Sequence, residues 1–325
     1  MVISQTPLRI SLLGGGTDFK GFYKEHGGAA LTLAIDKCIY VIVKERFDDA
    51  IYLNYSQKEI VRSVDEIQHA LIREAMRLTG VKWGVEITTL ADIPSEGSGL
   101  GSSSCVTVGL LNALYAFQGI QVPSERLAEE ACKIEIDILG KPIGIQDQVI
   151  AAHGNFCFAE FLKDGTVTVE KLATSAVLKR QLVSNLLLFY TDRTRSADTI
   201  LKEQKSNIAD KQKELCLIKD LAYKGRDAVL NGNIDQIGEL LHENWLSKKR
   251  LAKGISDKEI DDMYDRALEG GAIGGKVAGA GGGGFLMLYC PREKQNSVRD
   301  ALSMYRELPF MLSRDGSKII FNINI

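Results

Sequence analysis

Three stretches of this chain crowd glycine beside residues able to bind phosphate or handle a hydroxyl. The densest is Pro94-Ser-Glu-Gly-Ser-Gly-Leu-Gly-Ser-Ser-Ser104, between a predicted strand and a predicted helix. Glycine lets the backbone approach a ligand and take positive φ. A helix N-terminus adds unpaired N–H groups and a partial positive charge. Gly97, Ser98, Gly99, Leu100, Gly101, Ser102, Ser103 and Ser104 therefore read as a phosphate cradle, with serine hydroxyls as donors or a metal ligand. A serine-capped turn explains one glycine and one serine, not this density. Gly270 to Lys276 has the GxxxxGK spacing of a Walker loop, but Val277 replaces the metal-binding hydroxyl and the element order is reversed. Gly279, Gly281 and Gly284 have dinucleotide-loop spacing, yet a strand follows instead of a helix. The third stretch, Gly14-Gly-Gly-Thr17-Asp18, ends a strand. The Asp18 carboxylate there can accept from adjacent sugar hydroxyls, or simply cap a turn.

Two more carboxylates stand out. Glu135 shares a predicted helical stripe with Ala128, Cys132 and Leu139, facing the interior. A buried ionised carboxylate needs a metal or an opposite charge, and the sequence leaves both open. Asp147, in Gly144-Ile-Gln-Asp-Gln148, reads by itself as a helix-starting residue favoured by the helix dipole.

These residues need elements to hold them. Residues 38–46 and 84–93 read as strands. Between them a helix carries Ile67, Ala70, Leu71, Ala75 and Leu78 to Gly80, with capping-box spacing at Asp65 and Gln68. Helices follow from Ser102 and from Ser124 to Leu139, stopped at Gly140. After about residue 180 come a strand at 186–190, a long polar helix from about 196 to 231, and a helix through Ile237 to Trp245. A further helix opens at Ser256 with Glu259, followed by the strand Phe285–Tyr289, a helix near Pro291 and a last strand in KIIFNI.

The 325 residues suggest two domains, 1–182 and 183–325, packed around a cleft. Lys plus Arg number 40 against 42 Asp plus Glu, without a basic stripe, which argues against nucleic acid or a membrane surface as partner. Six scattered cysteines read as free thiols, and the absence of a signal segment or long apolar run predicts a cytoplasmic protein.

Taken in order, the three glycine stretches resemble the signature motifs of the galactokinase, homoserine kinase, mevalonate kinase and phosphomevalonate kinase superfamily. The resemblance implies an α+β fold, with a ribosomal-protein-like N-terminal domain and a ferredoxin-like C-terminal domain. It implies ATP on the 97–104 loop and Mg²⁺ held by Ser103 and Glu135. Asp147 would take or orient the acceptor's proton, and Arg9 would neutralise charge at the transferring group or else serve as a salt-bridged strand residue. Thr17 and Asp18 would grip sugar hydroxyls, Gly281 of the last loop would border the substrate, and Arg193 or Arg195 would meet a phosphate on it. Lys276 either reaches a phosphate or stays solvated. The segments PLRISLLGGGTDF, IGIQDQ and GGKVAGAGGGGF are similar to those of heptose 7-phosphate kinases, which phosphorylate the anomeric hydroxyl. An anomeric kinase for a neutral sugar such as fucose, and a non-catalytic sugar sensor, are the alternatives; a monomer or a homodimer fits equally.

Overall fold

The computed structural model describes residues 1–93, 97–193 and 197–323. The first half runs β1 (Val2–Leu13), α1 (Lys20–His26), β2 (Gly28–Glu45), β3 (Ile51–Asn54), β4 (Lys58–Val61), α2 (Ala70–Thr79), β5 (Val85–Ala91), α3 (Ser102–Phe117), α4 (Ser124–Cys132), α5 (Gln146–His153), β6 (Phe156–Phe161) and β7 (Val167–Lys171). The second runs α6 (Ala176–Ser184), β8 (Leu186–Tyr190), α7 (Ala197–Ser206), α8 (Gln212–Leu230), α9 (Gln236–Lys248), α10 (Lys258–Glu269), β9 (Gly274–Val277), β10 (Phe285–Tyr289), α11 (Gln295–Ala301) and β11 (Lys318–Asn322).

Eight strands form one large sheet in the order β11-β1-β2-β5-β3-β4, with β6 beside β2 and β7 beside β6. β2 is long enough to serve two neighbours, pairing β6 through Gly28–Leu33 and β5 through Ile39–Glu45. A second, three-stranded antiparallel sheet has the order β8-β10-β9. Its core gathers Leu187, Phe189, Trp245, Tyr264 and Leu286, apart from the larger core under the first sheet. The α+β class agrees with the sequence reading. The last strand of the expected 183–325 unit, however, joins the other sheet: β11 pairs with β1, Val2 opposite Asn322.

Local differences have local causes. Helix α2 is capped by His69, whose Nδ1 accepts from Ile72 N, while Asp65 pairs with Arg77 at 2.6 Å. Asp257, not Ser256, caps α10 by accepting from Ile260 N. The polar stretch 196–231 is two helices, with a turn at 207–211 between α7 and α8. The expected helix Ser124–Leu139 becomes π-helical over Lys133–Ile138, a wide turn that often marks a functional position. All six cysteines are free.

Candidate functional site

Helix α3 begins at Ser102 without a side-chain cap, so the N–H groups of its first turn are left for a ligand. Gly97, Gly99 and Gly101 before it all have positive φ. Gly99 also has a neighbour that excludes any side chain: a Cβ there would lie 2.6 Å from the Ala278 carbonyl oxygen. The loop therefore seats directly on the C-terminal glycine loop. Not every residue of 97–104 faces outward. Leu100 is in the core, Ser98 and Ser102 share a buried hydroxyl contact of 3.1 Å, and Ser104 is buried. Exposed for a ligand are the glycine backbone and Ser103. Pro94, Ser95 and Glu96 lie outside the described residues.

Ser103 Oγ donates to Glu135 Oε1 at 2.5 Å, although the two residues are 32 apart in sequence. Glu135 is fully buried on the π-turn. Lys141 Nζ reaches both, at 2.5 Å from Ser103 Oγ and 3.0 Å from Glu135 Oε1, and Gln148 Nε2 donates to Glu135 Oε2 at 2.7 Å. Of the two alternatives for Glu135, the opposite charge is the one seen: its carboxylate is balanced by a lysine. The same hydroxyl and carboxylate oxygens converge on a cation as they would on a divalent metal. Mg²⁺ typically takes one or two protein oxygens and completes its shell with phosphate and water, so the pair fits it. No cluster of three His, Cys, Asp or Glu suited to a metal occurs among the described residues.

The other expected site residues gather at the start of α5. Arg9, on β1, donates to both oxygens of Asp147, at 2.7 and 2.6 Å, and its third arm reaches the Gly99 carbonyl at 2.7 Å. One side chain thus joins the glycine loop to the candidate catalytic carboxylate. Burial pulls the guanidinium pKa down, but Asp147 more than offsets this and leaves it raised. Asp18 accepts from Gly16 N at 3.0 Å and from Gln146 N at 3.1 Å. Burial, then the neighbouring Asp147, push its pKa up. Gly144 is required beside it, since a Cβ would fall 1.9 Å from Asp18 Oδ2. Arg9, Asp18, Asp147, Gln146, Lys248 and Lys276 line one cleft.

Several expected contacts fall elsewhere. Thr17 is buried, and its single O–H is shared between the Gly14 and Ala29 carbonyls while its oxygen accepts from Ala29 N, so it braces the turn instead of meeting a sugar. Gly281 packs against Ile255; Gly279 and Ala280 border the cleft in its place. Arg193 is paired with Asp257 at 2.7 Å and Glu259 at 2.9 Å. Arg195 lies outside the described residues. Lys276 is not solvated: it is 1% exposed and donates to Leu12 O at 3.0 Å.

Sequence reasoning missed Lys141, Gln148, Ser11 and Lys248. Lys248 carried a usable signal, since helical spacing places it one and two turns after Asn244 and Leu241, on the buried stripe of α9. Lys141 had none, because its reach across to Ser103 depends on tertiary structure.

Two glycine loops thus seat against each other beside a helix N-terminus, with Arg9, Asp147 and the Ser103–Glu135 pair next to them. Residues 63–155 match the family described as GHMP kinases N terminal domain, and residues 226–306 match GHMP kinases C terminal. A D-glycero-alpha-D-manno-heptose 7-phosphate kinase of Campylobacter jejuni is 30% identical over 311 residues, 91% of each chain. A crystal structure of a D-glycero-D-manno-heptose 1-phosphate kinase from Bacteroides thetaiotaomicron superposes with a TM-score of 0.84 at 26% identity, over 99% of both chains. Lactococcus lactis galactokinase shares the fold, with a TM-score of 0.76 at 18% identity over 98% of this chain and 94% of that one. The chain belongs to the GHMP kinase family, and its similarities support sugar kinase activity. No helix among the described residues is long and apolar enough to cross a membrane.

Proposed function

We propose that the protein transfers the γ-phosphoryl group of ATP to the anomeric hydroxyl of a sugar phosphate, D-glycero-D-manno-heptose 7-phosphate being the acceptor named for the relative that is 30% identical over 91% of the chain. The observation that carries this reading is Arg9, which touches Gly99 O of the nucleotide loop and both oxygens of Asp147. The two substrates' binding groups thereby sit within one side chain's reach.

Phosphoryl transfer depends mainly on positioning and charge neutralisation. The free N–H groups at α3 receive the nucleotide's phosphates, and a hollow of mixed character, lined by Tyr55, Ser56, Thr89, Asp92, Ile93 and Val106, offers the base a seat. Ser103 and Glu135 would hold Mg²⁺, which when bound neutralises charge on those phosphates. Asp18 accepts from sugar hydroxyls through lone pairs left free by its two backbone donors. Asp147 receives or orients the proton of the attacking hydroxyl. The oxygen bonds to the γ-phosphorus, the bond to the β-bridging oxygen breaks, and ADP leaves. Arg9 balances charge on Asp147 and at the loop.

The test is incubation of purified protein with ATP, Mg²⁺ and a panel of sugars and sugar 7-phosphates, with phosphorus NMR of the product. Sugar-dependent ADP formation with a new anomeric phosphate is expected. ATP turnover indifferent to every sugar would reject the assignment.

A further inference from the structure

The cleft contains two buried ammonium groups that no carboxylate pairs. Lys248 and Lys276 are 5% and 1% exposed. Lys248 donates to the Val277 and Gly279 carbonyls, and Lys276 to the Leu12 carbonyl; neither is ion-paired among the described residues. Arg9 and Asp147 satisfy each other, so the two lysines share Asp18 alone, and both its oxygens already accept backbone N–H groups. An ammonium has three N–H donors, which leaves donors open on both lysines. Burying charge without a partner is costly. Its effect is visible here: burial pushes the Lys248 pKa down to about 7 and that of Lys276 well below the usual lysine range.

Other groups are unsatisfied at the same place. Ser11 Oγ and Gln146 Oε1 are buried without a hydrogen-bond partner, and both residues line the cleft. A methyl group on Gly15 would lie 3.3 Å from Ser11 Oγ, 3.5 Å from Gln146 Nε2 and 3.9 Å from Lys276 Nζ. These three groups therefore border one hollow, open because residue 15 has no side chain. Lys248 lines the same cleft, and its repulsion helps to lower the Lys276 pKa, so a dianion in that cleft would balance both lysines and accept from the serine hydroxyl. The nucleotide's phosphates have their own donors at the first turn of α3, and Arg193, expected to meet a phosphate on the sugar, is already paired, which leaves the lysines for that phosphate.

We propose that Lys248, Lys276 and Ser11 form a phosphate subsite of the acceptor pocket, which selects a sugar already carrying a phosphate monoester over its neutral counterpart. The proposal rests on reading this cleft as the acceptor site.

Inorganic phosphate is the first probe. Calorimetric titration of the nucleotide-free protein is expected to show binding that Lys248→Met and Lys276→Met each weaken at least tenfold. Phosphate binding absent from the unsubstituted protein, or surviving both substitutions, overturns the proposal. With ATP present, the kcat/KM ratio of a sugar phosphate to the same neutral sugar should fall at least tenfold in each variant, mainly through KM. Ser11→Ala should lower it in the same direction by a smaller factor. Equal losses on both sugars, carried by kcat, would move the lysines onto the transferring phosphoryl group and overturn it. Should the methionine variants fail to fold, Lys276→Arg keeps the charge and is expected to retain the preference for the sugar phosphate; losing it would also count against the subsite. If no sugar supports ATP consumption while the lysine-dependent phosphate binding holds, the anion site remains, but its place in an acceptor pocket falls with the proposed function.

Discussion

Asp147 and Arg9 act as a unit, because every polar atom of the carboxylate faces the guanidinium. Asp147→Asn keeps the shape but removes the charge and the ability to take a proton. Turnover is expected to drop roughly 10²-fold or more, the usual scale for a lost general base, while ATP binding measured by calorimetry persists. Unchanged kcat would remove Asp147 from the chemistry. Lys141 presents a different case, since its ammonium sits between Ser103 and Glu135 as a cation already in place. A divalent metal on those oxygens has to displace it. Lys141→Met should therefore tighten Mn²⁺ binding, read by electron paramagnetic resonance, by about tenfold, the scale of groups that tune a metal ligand. The same variant should melt lower without metal, because Glu135 is then buried with no cation. Weaker Mn²⁺ binding would make Lys141 a support of the metal, not its competitor.

At the scale of elements, the site depends on two glycine loops meeting face to face. Gly99 takes φ of 72° and lies where a Cβ would reach within 2.6 Å of Ala278 O. Gly99→Ala adds a left-handed penalty of about 1–2 kcal/mol to that clash. If about 1.4 kcal/mol of this appears as lost nucleotide binding, KM for ATP rises about tenfold. An unchanged KM would mean the loops separate at no cost. The sequence made the loops themselves legible, because glycine and serine density before an apolar helical stripe has few other uses. It also placed β8, β10, α3 and the α2 stop at Gly80 correctly, since these have strong periodicity or a left-handed glycine. It misassigned helix starts where two polar residues competed: Asp65 is drawn off by Arg77, and Ser256 by Asp261. The fate of Thr17 was illegible for a similar reason. A hydroxyl beside a glycine turn looks exposed in one dimension, and only the pairing of β1 with β2 brings Ala29 close enough to take it.

Across the whole molecule, the C-terminal segment links the two sheets. Leu308 N donates to Leu188 O in the small sheet, Ser313 N to Ala34 O in the large one, and β11 then lies along β1. On the way it presses on the helix that carries Asp147: Ser317 N donates to Ala151 O, and a Cβ on Gly316 would fall 2.0 Å from Ala152 O. Ser317 Oγ also contacts Thr6 Oγ1 on β1 at 2.8 Å, on the strand that bears Arg9. The elements that carry Arg9 and Asp147 are thus buttressed by residues more than 300 and 160 positions away, which no local pattern could reveal. Gly316→Ala should force either α5 or β11 to move. The cost expected of such overpacking is about 1–3 kcal/mol, read as a lower urea midpoint. If α5 is the element that yields, Asp147 shifts against Arg9, and kcat should fall while KM for ATP, set at α3, stays near its original value. A lower midpoint with kcat intact would place the strain on β11 instead, and an unchanged midpoint would show that the segment does not press on α5 at all.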